Sequence, residues 1–157
     1  MGREIRRVPA NWEHPRYTAD TANNVKQIGQ HIPLLDNYDK ALQAFAQCIT
    51  DKGLSEAIEY HGGGPQKDSY TQYNNAPLAW WQVYETVTEG TPVSPAFATP
   101  EELVEYLVAN GDFWDQKRGD KGYSRAGAEA LVKSGWAPSG MSIGGTFYTG
   151  VESLTKI

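Results

Sequence analysis

Cysteine is almost missing from this chain. The single Cys48 excludes an intramolecular disulfide, and a secreted protein this rich in loops would usually carry more. A reducing cytosol is the expected compartment. Cys48 falls in an apolar helical pattern with Ala44, Phe45, Ala46 and Ile49, which reads as a buried structural thiol. Long apolar runs are missing too. No stretch reaches the roughly 18 residues that a membrane helix needs, so no membrane partner is expected. The arginines near the start are not followed by an apolar segment, which argues against a secretory signal. Gly2 lacks the Ser or Thr four residues on that a myristoylation signal carries. Histidine is scarce: His14, His31 and His61 are scattered, and no two share metal-ligand spacing on one helix. Neither a metal nor another cofactor is expected.

Aromatic residues, by contrast, are plentiful. Five Trp and nine Tyr favour a packed domain over disorder. At 157 residues the chain reads as one domain, 1–157, able to bury roughly 70% of its unfolded surface without disulfide or metal. Residues 61–76, which open on His61-Gly62-Gly63-Gly64-Pro65, read as a flexible or inserted loop. The net charge of −5 argues against general coating of DNA. Local basic clusters remain, with Arg3, Arg6, Arg7 and Arg16 near the start and Lys117, Arg118, Lys121 and Arg125 later. Each is either a solvated face or a pocket for a small anion.

The pattern of elements predicts an α+β fold: a small, mostly antiparallel sheet with about three packed helices. Residues 3–8 read as a strand ended by Pro9. Leu35, Tyr38, Leu42, Phe45 and Ile49 recur at helical spacing, with Asp36 as the expected N-cap and Gly53 as the stop. A short helix follows over 55–60. Residues 80–88 alternate as a strand, with Trp81, Val83 and Glu85 on one face and Trp80, Gln82 and Tyr84 on the other. After a turn at 89–92, residues 93–97 suit an edge strand interrupted by Pro95. Thr99-Pro100-Glu101-Glu102 predicts a helix start with a capping box, and Asn110-Gly111 its end. Residues 112–123 read as a charged loop. Ser124 caps a last helix that Gly135 closes, and 141–150 form one or two short strands.

No catalytic residue is assigned. Gly62-Gly63-Gly64 lacks the Lys-Ser/Thr of a nucleotide-hydrolase loop and reads as a hinge. Ser142 sits in a Gly-x-Ser-x-Gly frame, but the residues after it do not support a strand-to-helix elbow. Glu101 and Glu102 are explained by helix capping. Glu85 alternates with apolar residues, so a buried carboxylate is expected there, with an arginine of the first strand as one partner. The strongest constellation is Arg6, Arg7, Trp12 and His14: a ring to stack on a base and guanidinium groups for phosphate. Trp136 and Ser139, from a second Pro-flanked segment, complete the expected ligand-binding set.

Arg6-Arg7-Val8-Pro9 with Trp12-Glu13-His14-Pro15 resembles the opening of a group of small tailed-bacteriophage and prophage proteins. Residues 84–97, with the Thr-Pro-Glu-Glu-Leu helix start behind them, are similar to the group's central motif. Gly135-Trp136-Ala137-Pro138-Ser139 and Gly150-Val151-Glu152 are similar to its close. These blocks cover about a third of the chain, and residues 17–75 match nothing in the group. The resemblance implies a phage accessory protein in the host cytosol and implies no chemistry. Three functions fit. One is a binder that acts in counter-defence, by sequestering a small nucleotide or by blocking a host protein. The second is an enzyme acting on nucleotides or modified phage DNA, with Glu85, His14 and Arg7 convergent. The third is a virion or assembly component. Edge strands and exposed aromatics also admit a homo-oligomer.

Overall fold

A computed structural model describes residues 2–86, 90–138, 140–143 and 145–155. The chain folds as α+β and divides into two compact units, residues 1–32 with 77–157, and residues 33–76.

The first unit is built on a four-stranded antiparallel sheet of order β3-β2-β1-β4. Its strands are β1 (Arg3–Val8), β2 (Trp80–Glu85), β3 (Thr91–Pro92) and β4 (Trp136–Ala137). The register of the central pair runs from Arg3 opposite Glu85 to Val8 opposite Trp80. Residues directly opposed across such a ladder share a face. Ile5, Val83 and Ala137 therefore lie on one face, and Glu4, Arg6, Val8, Trp80, Gln82 and Tyr84 on the other.

The first face packs on helices. The core unites Val83, Val93 and Ala137 with Leu103, Val104 and Leu107 of α3 (Pro100–Asn110) and with Ala128 and Leu131 of α5 (Arg125–Ser134). Truncating a buried leucine in such a core costs about 2–5 kcal/mol. The Thr99 side chain accepts from the Glu102 N–H, as the sequence predicts, and Ser124 caps α5 by accepting from the Gly127 N–H. A second sheet pairs β5 (Gly140–Ile143) with β6 (Thr146–Thr149), and α6 (Gly150–Ser153) follows. Ser142 lies in mid-strand, away from any strand-to-helix turn.

The stretch 112–123 differs from its reading as a loop. Residues Phe113–Arg118 form a helix, α4, under a reciprocal cap: Asp112 accepts from the Asp115 N–H and Asp115 accepts from the Asp112 N–H. Two orphan amides are satisfied at once, which lets so short and charged a segment turn helical. In the second unit, α1 (Tyr38–Lys52) and α2 (Leu54–His61) form a helical pair. Asn37, rather than the expected Asp36, caps α1 by accepting from the Lys40 N–H. Asp36 instead accepts from the Tyr73 hydroxyl. No helix among the described residues is long and apolar enough to cross a membrane.

Candidate functional site

The second face of this sheet carries buried polar side chains. Pro9 ends β1, and the chain turns at once: the Trp12 N–H donates to the Pro9 carbonyl, with Asn11 in the left-handed region at φ 58°. Asn tolerates that conformation better than most residues. The turn carries Trp12 and His14 back over the sheet. The chain then makes a hairpin-like excursion over 15–32, with Arg16 bridged to His31 and the Ile32 N–H donating to the Pro15 carbonyl.

Tyr84 is the centre of what results. The Arg6 guanidinium lies 4.1 Å from the centre of its ring, and Arg6 is 2% exposed. Glu4 accepts from Arg6 Nε at 2.7 Å. The Tyr84 hydroxyl meets His14 Nδ1 at 2.9 Å and accepts from Trp12 Nε1 at 3.3 Å. His14 Nε2 lies 2.6 Å from the Ile32 carbonyl. A carbonyl only accepts, so Nε2 carries the proton and Nδ1 accepts from Tyr84. Both ring nitrogens are thus engaged. His14 is 5% exposed, and burial pushes its pKa down to about 4, assisted by His31, Arg6 and Arg16 against the Ile32 carbonyl. His31, edge-on to His14 at 5.8 Å, is held below its ordinary value by burial and by Arg16. Both imidazoles are neutral at pH 7.

Beside this network opens a cleft of about 430 Å³, within the size range of small-molecule sites. Half-buried Trp12 and Trp80 line it, with Arg16, His31 and Gln82 as polar groups. Arg16 is exposed and donates through one nitrogen to the Gly29 carbonyl, which anchors the guanidinium. Its remaining N–H groups leave it able to take an anion.

Of the expected ligand-binding residues, the structure gathers Arg6, Trp12 and His14 around Tyr84. Only Trp12 and His14 line the cleft. Arg6 lies beneath Tyr84 as a buried support. Arg7 points to the opposite face, stacked 3.7 Å from the centre of the Trp81 ring and donating to the Leu78 carbonyl. Trp136 is opposite Glu4 on the edge strand, 54% exposed, and does not line the cleft. Ser139 lies outside the described residues. Trp80, a candidate for stacking on a base by its ring, and Arg16, from the basic cluster near the start, join the site with His31 and Gln82, although none of the four was in the expected ligand-binding set. The alternation of 80–84 carried the signal for Trp80 and Gln82, because it places them on the face of Tyr84.

The grouping of Glu85, His14 and Arg7 is not assembled. Glu85 and Arg7 lie on the helix-bearing face, four residues apart in register, while His14 covers the other. Glu85 is 4% exposed and accepts from Thr91 and from Trp114 Nε1. Its register neighbour Arg3 donates instead to Asp112, at 2.9 Å, and Tyr123 donates to the same oxygen. Burial pushes the Asp112 carboxyl up, but Arg3, the Asp115 N–H and Tyr123 outweigh it and hold it below the usual carboxylate range. Among the described residues no group of three or more His, Cys, Asp or Glu is placed to hold a metal. No protein-family model, curated protein or solved structure matches the chain.

Proposed function

We propose that the protein acts by binding a small nucleotide in the cleft beside Tyr84 and holding it without turnover. The observation that carries this reading is the joint lining of the cleft by two half-buried indoles, Trp12 and Trp80, and one exposed guanidinium, Arg16. Indoles stack on any base, and a guanidinium takes phosphate through two N–H groups. His14 supports a binding rather than a catalytic role. With both nitrogens engaged inside the protein, it has no lone pair or proton to offer a substrate. In a phage, the setting that the resemblance implies, sequestering a nucleotide of the host would serve counter-defence.

Native mass spectrometry of the protein purified from its bacterial host, then denaturation and identification of what is released, tests the reading. An intact nucleotide, lost in Trp12→Ala and Arg16→Ala but kept in Arg7→Ala, is the expected result. A chemically altered product would show turnover and favour the enzyme reading. A blocked host protein is the second reading, favoured by Leu54, Ile58 and Tyr60, which α2 leaves exposed in the second unit. Recovery of a stoichiometric host protein in place of a nucleotide would select it.

A further inference from the structure

The wall of the cleft holds a polar atom without a partner. Gln82 is 5% exposed and lines the cleft. Its amide nitrogen donates to the Ser94 carbonyl at 2.8 Å, which fixes the end that carries the oxygen. That oxygen, Oε1, is closed to water and accepts no hydrogen bond among the described residues. Ser94 offers no relief, because its hydroxyl accepts from the Val83 N–H and donates to the Pro95 carbonyl. Native proteins keep few buried acceptors unsatisfied, and those they keep call for a cause. A donor that arrives with a ligand in the cleft would supply the missing bond.

We infer that the ligand's base carries an exocyclic amino group, as adenine and cytosine do, and that Gln82 Oε1 accepts from it. This rests on the reading of the cleft as a nucleotide site. Oε1 is closed even to water, so a donor reaches it only when the Gln82 side chain or its cover shifts as the ligand binds. An amino group projects from its ring and meets the oxygen as it turns outward. A ring N–H, as in uracil, offers a single proton set between two carbonyl oxygens, whereas an amino group offers two protons that project beyond its ring. Beside Gln82 lies a second acceptor, the Ser94 carbonyl, and Glu13 is among the lining residues. Two amino protons suit such a wall; a carbonyl oxygen is repelled by it.

Calorimetric titration of the intact protein with four probes tests this. They are adenosine monophosphate, its analogue without the amino group (purine riboside monophosphate), cytidine monophosphate and uridine monophosphate. At least one amino-bearing nucleotide should bind about tenfold to a hundredfold more tightly than its partner without the group. Gln82→Met, which keeps the shape and removes the acceptor, should erase that preference. The ligand series needs no variant, so it stands even where Gln82→Met does not fold. Equal binding within both pairs would overturn the inference and leave the nucleotide cleft standing. A preference that survives in folded Gln82→Met would remove Gln82 as the reader of the amino group. Binding of none of the four, nor of guanosine monophosphate, whose base also carries an exocyclic amino group, would sink the cleft reading, and the inference with it.

Discussion

Acid should destabilise this protein through one residue in particular. His14 is neutral in the fold because its Nε2–H is committed to Ile32 and its Nδ1 to the Tyr84 hydroxyl. Protonation would set a second N–H against a hydroxyl that already accepts from Trp12 Nε1, in a site with almost no solvent. The folded pKa of about 4 lies below the ordinary value of 6.5. Between those values the unfolded chain binds a proton that the folded chain refuses, so stability falls as pH falls. The contribution is complete above about pH 6.5 and gone near pH 4. The gap corresponds to at most about 3 kcal/mol, most of it lost by pH 4.5. Urea unfolding near pH 7 and near pH 4.5, on wild type and on His14→Gln, isolates the effect. Glutamine offers an N–H to Ile32 and an oxygen to Tyr84 but does not titrate. His31 and the carboxylates titrate in both proteins and cancel in the comparison. The wild type should lose about 2 kcal/mol more than the variant. Equal losses would refute the neutral, doubly bonded tautomer.

Tyr84→Phe should cost about 1–3 kcal/mol in urea unfolding, because it removes the hydroxyl that His14 Nδ1 and Trp12 Nε1 both bond. Arg16→Ala should leave the unfolding midpoint unchanged while weakening nucleotide binding, and wild-type affinity should fall as salt rises. Asp112→Ala should destabilise by about 3–5 kcal/mol, since it leaves the buried Arg3 guanidinium unpaired, whereas Tyr123→Phe removes one hydrogen bond and costs about 1 kcal/mol. Gly122→Ala should lower the thermal midpoint, because a Cβ there meets the Val108 carbonyl at the end of α3.

Much of the fold was legible because it rests on local chemistry. The alternation of 80–85, the cap at Thr99, the cap at Ser124 and the glycines at 111 and 135 each act within a few residues of themselves. What escaped was also local, but hidden by composition. Asp112-Phe113-Trp114-Asp115 is a reciprocal cap, yet without an apolar stripe behind it the segment looked like charged loop. The N-cap of α1 was misplaced by one residue for a similar reason: Asp36 and Asn37 both cap well, and only the Tyr73 hydroxyl, 37 residues on, claims the first. That partner cannot be read from neighbours in the sequence.

The site divides along the same line. Arg6, Arg7, Trp12 and His14 were grouped because nine residues contain them, but closeness in a strand says little about a shared site. Successive side chains point to opposite faces. Arg6 and Arg7 therefore part company at once, one under Tyr84 and the other on Trp81. Parity alone pairs Arg6 with Val8 and separates both from Arg7. It also joins Trp80, Gln82 and Tyr84. The register that sets Arg6 opposite Gln82 arises only when strands 72 or more residues apart meet. His31 and Arg16 enter through an excursion that a polar, aperiodic sequence does not announce. On a face that buries arginine, glutamine and histidine beside Val8 and Tyr84, the polar groups gain little from the hydrophobic effect. They must each find a partner. Arg6 has Glu4 and the Tyr84 ring, and His14 has Tyr84 and Ile32. Gln82 Oε1 is the acceptor left over beside the cleft, and under the proposal above a ligand would meet that requirement.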